Sequence, residues 1–150
     1  MEPSTKYLSY KILPELKLII QYLSGPVEGE DAIALVKKIR KDTGYDPVFN
    51  VLIDFRDITI TWNTNSSNSL THFVSFMKES PDYMSGKKIV LLFSKPAQAV
   101  LSILLQKNYE AFPVTTDLYT TLEAATENLG LFQDSVYRIR KEIEKIKNRT

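Results

Sequence analysis

The chain has 150 residues, 43% hydrophobic and 25% charged. These values fit one globular domain able to bury roughly 68–70% of its unfolded surface, and they exclude a disordered, collagen-like or coiled-coil-only chain. A count of 19 Lys and Arg against 18 Asp and Glu leaves a net charge of +1, too little for the electrostatic footprint of a duplex nucleic-acid binder. With no cysteine and one histidine, disulfides, thiol catalysis, thiolate metal sites and a histidine metal cluster are excluded.

The opening residues are polar and mixed, without an apolar run ahead of a small-residue cleavage site, so no targeting segment is expected. The longest apolar stretches, 16–23 and 89–93, are too short to span a bilayer. A cytoplasmic protein is expected, in which the sequons at Asn65-Ser66-Ser67 and Asn148-Arg149-Thr150 carry no glycosylation meaning.

Tyr, Ile and Leu in 7–13 and again in 16–23 predict two strands. The two residues between them, Pro14-Glu15, predict a hairpin. Ser24-Gly25-Pro26 ends the second strand. A helix follows over about 28–41, with Ala32, Leu35, Val36 and Ile39 on one face. Acidic residues in its first turn and basic ones in its last suit the helix dipole, and Asp42-Thr43-Gly44 stops it. The dense apolar runs 49–55 and 88–93 predict strands buried on both faces. Between them a polar stretch, 62–69, leads into a second helix with Leu70, Phe73, Val74 and Met77 on one face, broken by Pro81 and Gly86.

Pro96 opens a third helix, where its missing N–H costs little. A final short strand over 114–119 and a fourth helix over 121–129 follow. The tail over 132–147 is helical, with an apolar seam of Leu129, Phe132, Val136, Ile139, Ile143 and Ile146, and Gly130 kinks its junction with the fourth helix. There is no internal repeat and no linker. One domain is expected over 1–150, with its core at about 7–132 and a C-terminal helix at about 132–148. The order β-β-α-β-α-β-α-β-α plus a tail helix predicts an α/β fold. It implies a single mixed, mostly parallel sheet of about five strands flanked by helices.

Four landmarks, taken in order, resemble the STAS-like (SpoIIAA-like) fold family, which includes anti-sigma-factor antagonists and bacterial STAS/SEC14-like proteins. The opening hairpin ends in Ser24-Gly25 before an acidic helix start, Glu28-Gly29-Glu30-Asp31. The third strand runs into Leu52-Ile53-Asp54-Phe55-Arg56-Asp57. A Ser-rich polar loop precedes the second helix, and Leu118-Tyr119-Thr120-Thr121-Leu122-Glu123-Ala124-Ala125 through Leu129 closes the pattern. The resemblance covers about 7–132. It implies regulation by protein–protein contact rather than catalysis, with no cofactor. It also implies a phosphorylated serine at the start of the helix after the third strand. Ser66 stands at that place, but the Asp before it and the Gly after it in the family's motif are absent here.

The candidate site residues each carry two readings. Ser66 and Ser67, with Ser69, either cap the second helix through a hydroxyl or accept a phosphate that alters a docking surface. Asp54, Arg56 and Asp57 end a central strand, the edge where open α/β sheets bind ligands, and there they either meet a ligand or partner or form local salt bridges. Trp62 either anchors a partner or plugs the core. His72 sits opposite the apolar stripe of its helix, as a solvated side chain does. No Gly-rich phosphate loop and no G-x-S-x-G elbow is present, so an enzyme is not expected.

The third helix is apolar nearly all round, leaving a polar stripe of only Lys95, Gln98, Ser102 and Gln106. The surplus apolar surface needs a cover: the tail helix, a second subunit or a ligand. Val100, Ile103 and Leu104 are the candidate oligomer interface. The expected function is a non-enzymatic regulatory or interaction module that binds a protein partner and forms a homodimer. The alternative is a carrier or sensor of a small apolar or amphipathic ligand, held between the third helix, the tail helix and the sheet.

Overall fold

The structure is a computed structural model that describes residues 5–60 and 64–149 and, of 64–67, the backbone alone. Strands β1 (Tyr7–Leu13) and β2 (Leu18–Gly25) pair antiparallel, from Tyr7 opposite Ser24 to Leu13 opposite Leu18. Their connection is a 3-10 turn, Pro14–Leu16, closed by the Lys17 N–H on the Pro14 carbonyl at 3.0 Å. The two-residue turn expected from Pro14-Glu15 is therefore longer, and β2 starts at 18 instead of 16. Proline's fixed φ suits the first position of a helical turn, and that geometry takes in the next two residues.

Helix α1 (Gly29–Arg40) crosses to β3 (Asn50–Ile58), α2 (Thr64–Lys78) to β4 (Lys88–Leu92), and α3 (Pro96–Tyr109) to β5 (Thr115–Tyr119). The five strands stand in the order β1-β2-β3-β4-β5. All pairs after the hairpin are parallel, with Leu52 beside Ile20 and Val90 and with Leu91 beside Leu118. The fold is thus α/β with one mixed five-stranded sheet. Each crossover steps one strand further in the same direction, so the three helices share one face.

Two cores follow from the two-residue period of the strands. Ile19, Val51, Ile53, Ile89 and Leu91 face α1, α2 and α3, whose Leu35, Val36, Ile39, Met77, Leu105 and Tyr109 close the first core. Leu18, Ile20, Leu52, Val90 and Leu92 face the other way. There they meet helix α4 (Leu122–Asn128) and helix α5 (Gln133–Lys147) through Leu122, Ala125, Ile139 and Ile143. The runs at 51–55 and 89–92 are buried on both faces, as their dense apolar character predicts. On α1 the buried face is Ile33, Leu35, Val36 and Ile39, with Ile33 in the place expected for Ala32. Gly130, at φ +75°, ends α4 and separates it from α5 as the C-terminal glycine of a helix does.

Among the described residues, no helix is long and apolar enough to cross a membrane.

Candidate functional site

Three polar residues expected at the sheet's C-terminal edge, Asp54, Arg56 and Asp57, lie on the last turns of β3. They are not equivalent. Asp54 is fully buried and wholly engaged by Arg56. Its Oδ1 accepts from the Arg56 backbone N–H at 3.0 Å and from Nε at 3.0 Å, and its Oδ2 accepts from Nη2 at 2.9 Å. This bidentate pair matches the fork of the guanidinium and cancels two charges locally. The hydrogen bond to Asp54 holds the Arg56 guanidinium pKa above its ordinary value against the effect of burial.

Asp57 is a third exposed and has partners of its own. The Tyr22 hydroxyl donates to its Oδ2 at 2.5 Å, and Lys147 Nζ at the end of α5 lies 3.3 Å from the same oxygen. Burial by itself would raise the Asp57 carboxyl. The Tyr22 hydrogen bond, the charge and hydrogen bond of Lys147, and the charge of Arg56 outweigh it, so the group titrates below the usual carboxylate range. Burial, with the hydrogen bond to Asp57, pushes the Tyr22 phenol well up. The Tyr7 ring stands 6.5 Å from that of Tyr22, and the Arg149 guanidinium lies 3.8 Å from the Tyr7 centroid. Tyr7, Tyr22, Lys147 and Arg149 were not singled out in the sequence. No local spacing connects them, because they come together only when β1, β2 and the end of α5 meet at one corner.

Trp62 lies outside the described residues. Ser66 and Ser67 fall within the first turn of α2, which starts at Thr64 and not after a loop ending at 69; their side chains lie outside the described residues. Ser69, expected as a cap of its own helix, serves a different one. Its Oγ accepts from the Gly29 N–H at 2.5 Å, at the N-terminus of α1. Gly29 is required by this approach, since a Cβ there would stand 2.2 Å from the Ser69 carbonyl oxygen. His72 is exposed, as expected, with its Nδ1 3.7 Å from Glu30. Among the described residues, no three His, Cys, Asp or Glu side chains are grouped to hold a metal ion.

Helix α3 corrects the expectation most sharply. Its polar stripe turns inward: Gln98 and Ser102 are 1% and 0% exposed, while Val100 and Ile103 are 48% and 46% exposed. Leu104, the third candidate interface residue, is half-buried. The reason lies in β3 and the helix start. Gln98 Nε2 donates to the Arg56 and Ile58 carbonyls at 3.0 and 3.1 Å, and its Oε1 accepts from the Ser94 and Lys95 N–H groups at 2.9 and 3.0 Å. Gln106 Nε2 donates to the Thr116 carbonyl of β5 at 2.7 Å. Backbone groups where β3 leaves the sheet need partners, and an amide side chain supplies both kinds. The tail helix does not cover α3, as had been one expectation, because α5 packs on the opposite face of the sheet.

No family model matches the chain, and no curated protein matches it significantly.

Proposed function

We propose that this chain is a non-enzymatic regulatory module that works by protein–protein binding and pairs with a second copy through the outer face of α3. The observation that carries this reading is the inverted helix: Val100 and Ile103 stand about half exposed on α3, flanked by half-buried Leu104, while Gln98 and Ser102 of the same helix are buried. Covering the exposed half of each side chain contributes about 1 kcal/mol, so a matched pair of such ridges is a sensible association surface. The resemblance to the STAS-like family belongs to the same proposal. The order of hairpin, third-strand Asp54-Phe55-Arg56-Asp57 segment and closing 118–129 segment supports it, and control by phosphate on Ser66 or Ser67 goes with it. The ligand-carrier alternative loses its enclosing walls, since α3 and α5 lie on opposite sides of the sheet.

Sedimentation velocity of the full chain up to high micromolar concentration tests the proposal. The expected result is a dimer for the natural chain and a monomer for the Val100→Glu, Ile103→Glu double variant, with unchanged circular dichroism. A natural chain that stays monomeric throughout, or a double variant that still dimerises, overturns this assignment of α3.

A further inference from the structure

The corner at the C-terminal ends of β2 and β3 is separate from α3, and its chemistry is specific. Asp54 and Arg56 neutralise each other there, which leaves Asp57 as the carboxylate facing outward. Beside it stand the rings of Tyr22 and Tyr7, 6.5 Å apart. A carboxylate next to aromatic faces is a receptor for cations, since the ring quadrupole and the formal charge attract the same ligand. Two cations at and just after the end of α5 occupy it. Lys147 Nζ lies 3.3 Å from Asp57 Oδ2 and 5.6 Å from the Tyr22 centroid, and the Arg149 guanidinium lies 3.8 Å from the Tyr7 centroid.

The occupants are weakly secured. Lys147 is the last residue of α5, and the Lys147–Asp57 pair is about a third exposed on each side. Partly exposed ion pairs contribute little to stability, and helix ends open readily.

We infer that this corner is a binding site for a basic peptide segment of the form Lys-x-Arg, which the chain's own Lys147 and Arg149 fill in cis as a pseudo-ligand. The chain's own segment supports this ligand class: α5 ends at Lys147, the chain turns at Asn148 (φ −92°, ψ 36°), and the two flanking cations reach Asp57 and the Tyr7 ring. The lysine of such a segment meets Asp57 and Tyr22, and its arginine stacks on Tyr7. The partner is therefore a protein that presents a dibasic stretch, and binding it requires the tail to lift from the corner.

The test uses a fluorescently labelled peptide copying residues 143–150, titrated with the full-length chain and read by polarisation at low salt. The natural chain is expected to bind weakly. The Lys147→Ala, Arg149→Ala variant removes the cis competitor and is expected to bind about tenfold tighter or more, since a tethered competitor acts at roughly millimolar effective concentration. Adding Asp57→Asn to that variant, a change that keeps the shape of the side chain, is expected to return binding to the weak level. Thermal melts of all three verify folding. A double variant that binds no better than the natural chain overturns the inference, as does binding indifferent to Asp57→Asn. A melting temperature lowered by the double substitution without any gain in peptide binding also overturns it, by making the tail contacts structural only.

Discussion

Lys87 shows how a single residue sets a condition on the fold. It is 5% exposed, its ammonium sits 4.3 Å from the Tyr83 ring centroid, and no hydrogen-bond acceptor reaches it among the described residues. Burial lowers its pKa from 10.5 to about 8, against the attraction of Asp82 and Asp46. The unfolded chain keeps this proton to higher pH than the folded one, so between these values unfolding takes up a proton and stability rises with pH. The buried phenols of Tyr83 and Tyr109 are shifted upward, mainly by burial. They act in the opposite direction once tyrosines of the unfolded chain ionise near pH 10. The window for Lys87 is therefore about pH 8 to 10, and urea titrations are expected to show stability increasing across it. Lys87→Met is expected to remove that increase and to stabilise the chain at pH 7 by about 1–3 kcal/mol, as replacing a buried charge by an apolar side chain commonly does. A flat profile in the natural chain would contradict the assignment. The sequence offered no sign of this residue, because Lys87-Lys88 reads as two ordinary solvated lysines before a strand.

At the scale of an element, α3 is where periodicity and placement part company. Its apolar positions are legible in the sequence and its boundaries agree with a start at Pro96. The inward direction of the Gln98–Ser102 stripe is not legible, because a nearly all-apolar helix gives no preferred face from composition alone. The decision comes from four backbone groups at the β3 exit and the helix start, all bound by Gln98. Gln98→Leu keeps the volume roughly but leaves those groups without the amide. A loss of about 3 kcal/mol is expected in urea unfolding, since each stranded buried group costs on the order of 1–3 kcal/mol and some recover water. Ile103→Gln on the outer face, measured at a protein concentration low enough to keep the chain monomeric, is expected to change stability by less than about 0.5 kcal/mol. Equal costs for the two changes would mean that α3 is turned the other way. Helix α2 is a second instance: its start at Thr64 was hidden by a run of Asn and Ser that reads as loop. Ser69 then caps α1, a neighbour 40 residues away in the chain.

For the whole molecule, the order β1-β2-β3-β4-β5 puts β2, β3 and β4 inside and leaves β1 and β5 at the edges. Strand β2 and the runs 51–55 of β3 and 89–92 of β4 are buried, whereas β5 is exposed or half-buried along its length. Amide hydrogen exchange is expected to be slowest in 18–24, 51–55 and 89–92, at the free energy of global unfolding, and orders of magnitude faster in 115–119. Uniform protection across all five strands would contradict this layering. Much of the architecture was open to reading. The dense apolar runs, the amphipathic stripes of α1 and α5, and the strand–helix alternation are properties of consecutive residues, and they determined the α/β class and the sheet. What only the tertiary structure decided are relations between residues far apart in the chain. They include Asp57 meeting Tyr22 and Lys147, Arg149 resting on Tyr7, Gln98 bridging to β3, and α5 lying across the sheet from α3. Periodicity tells which side of an element is apolar. Which partner that side meets, and which charges end up within hydrogen-bond reach, depends on how the elements are placed around the sheet, and local sequence carries no record of it.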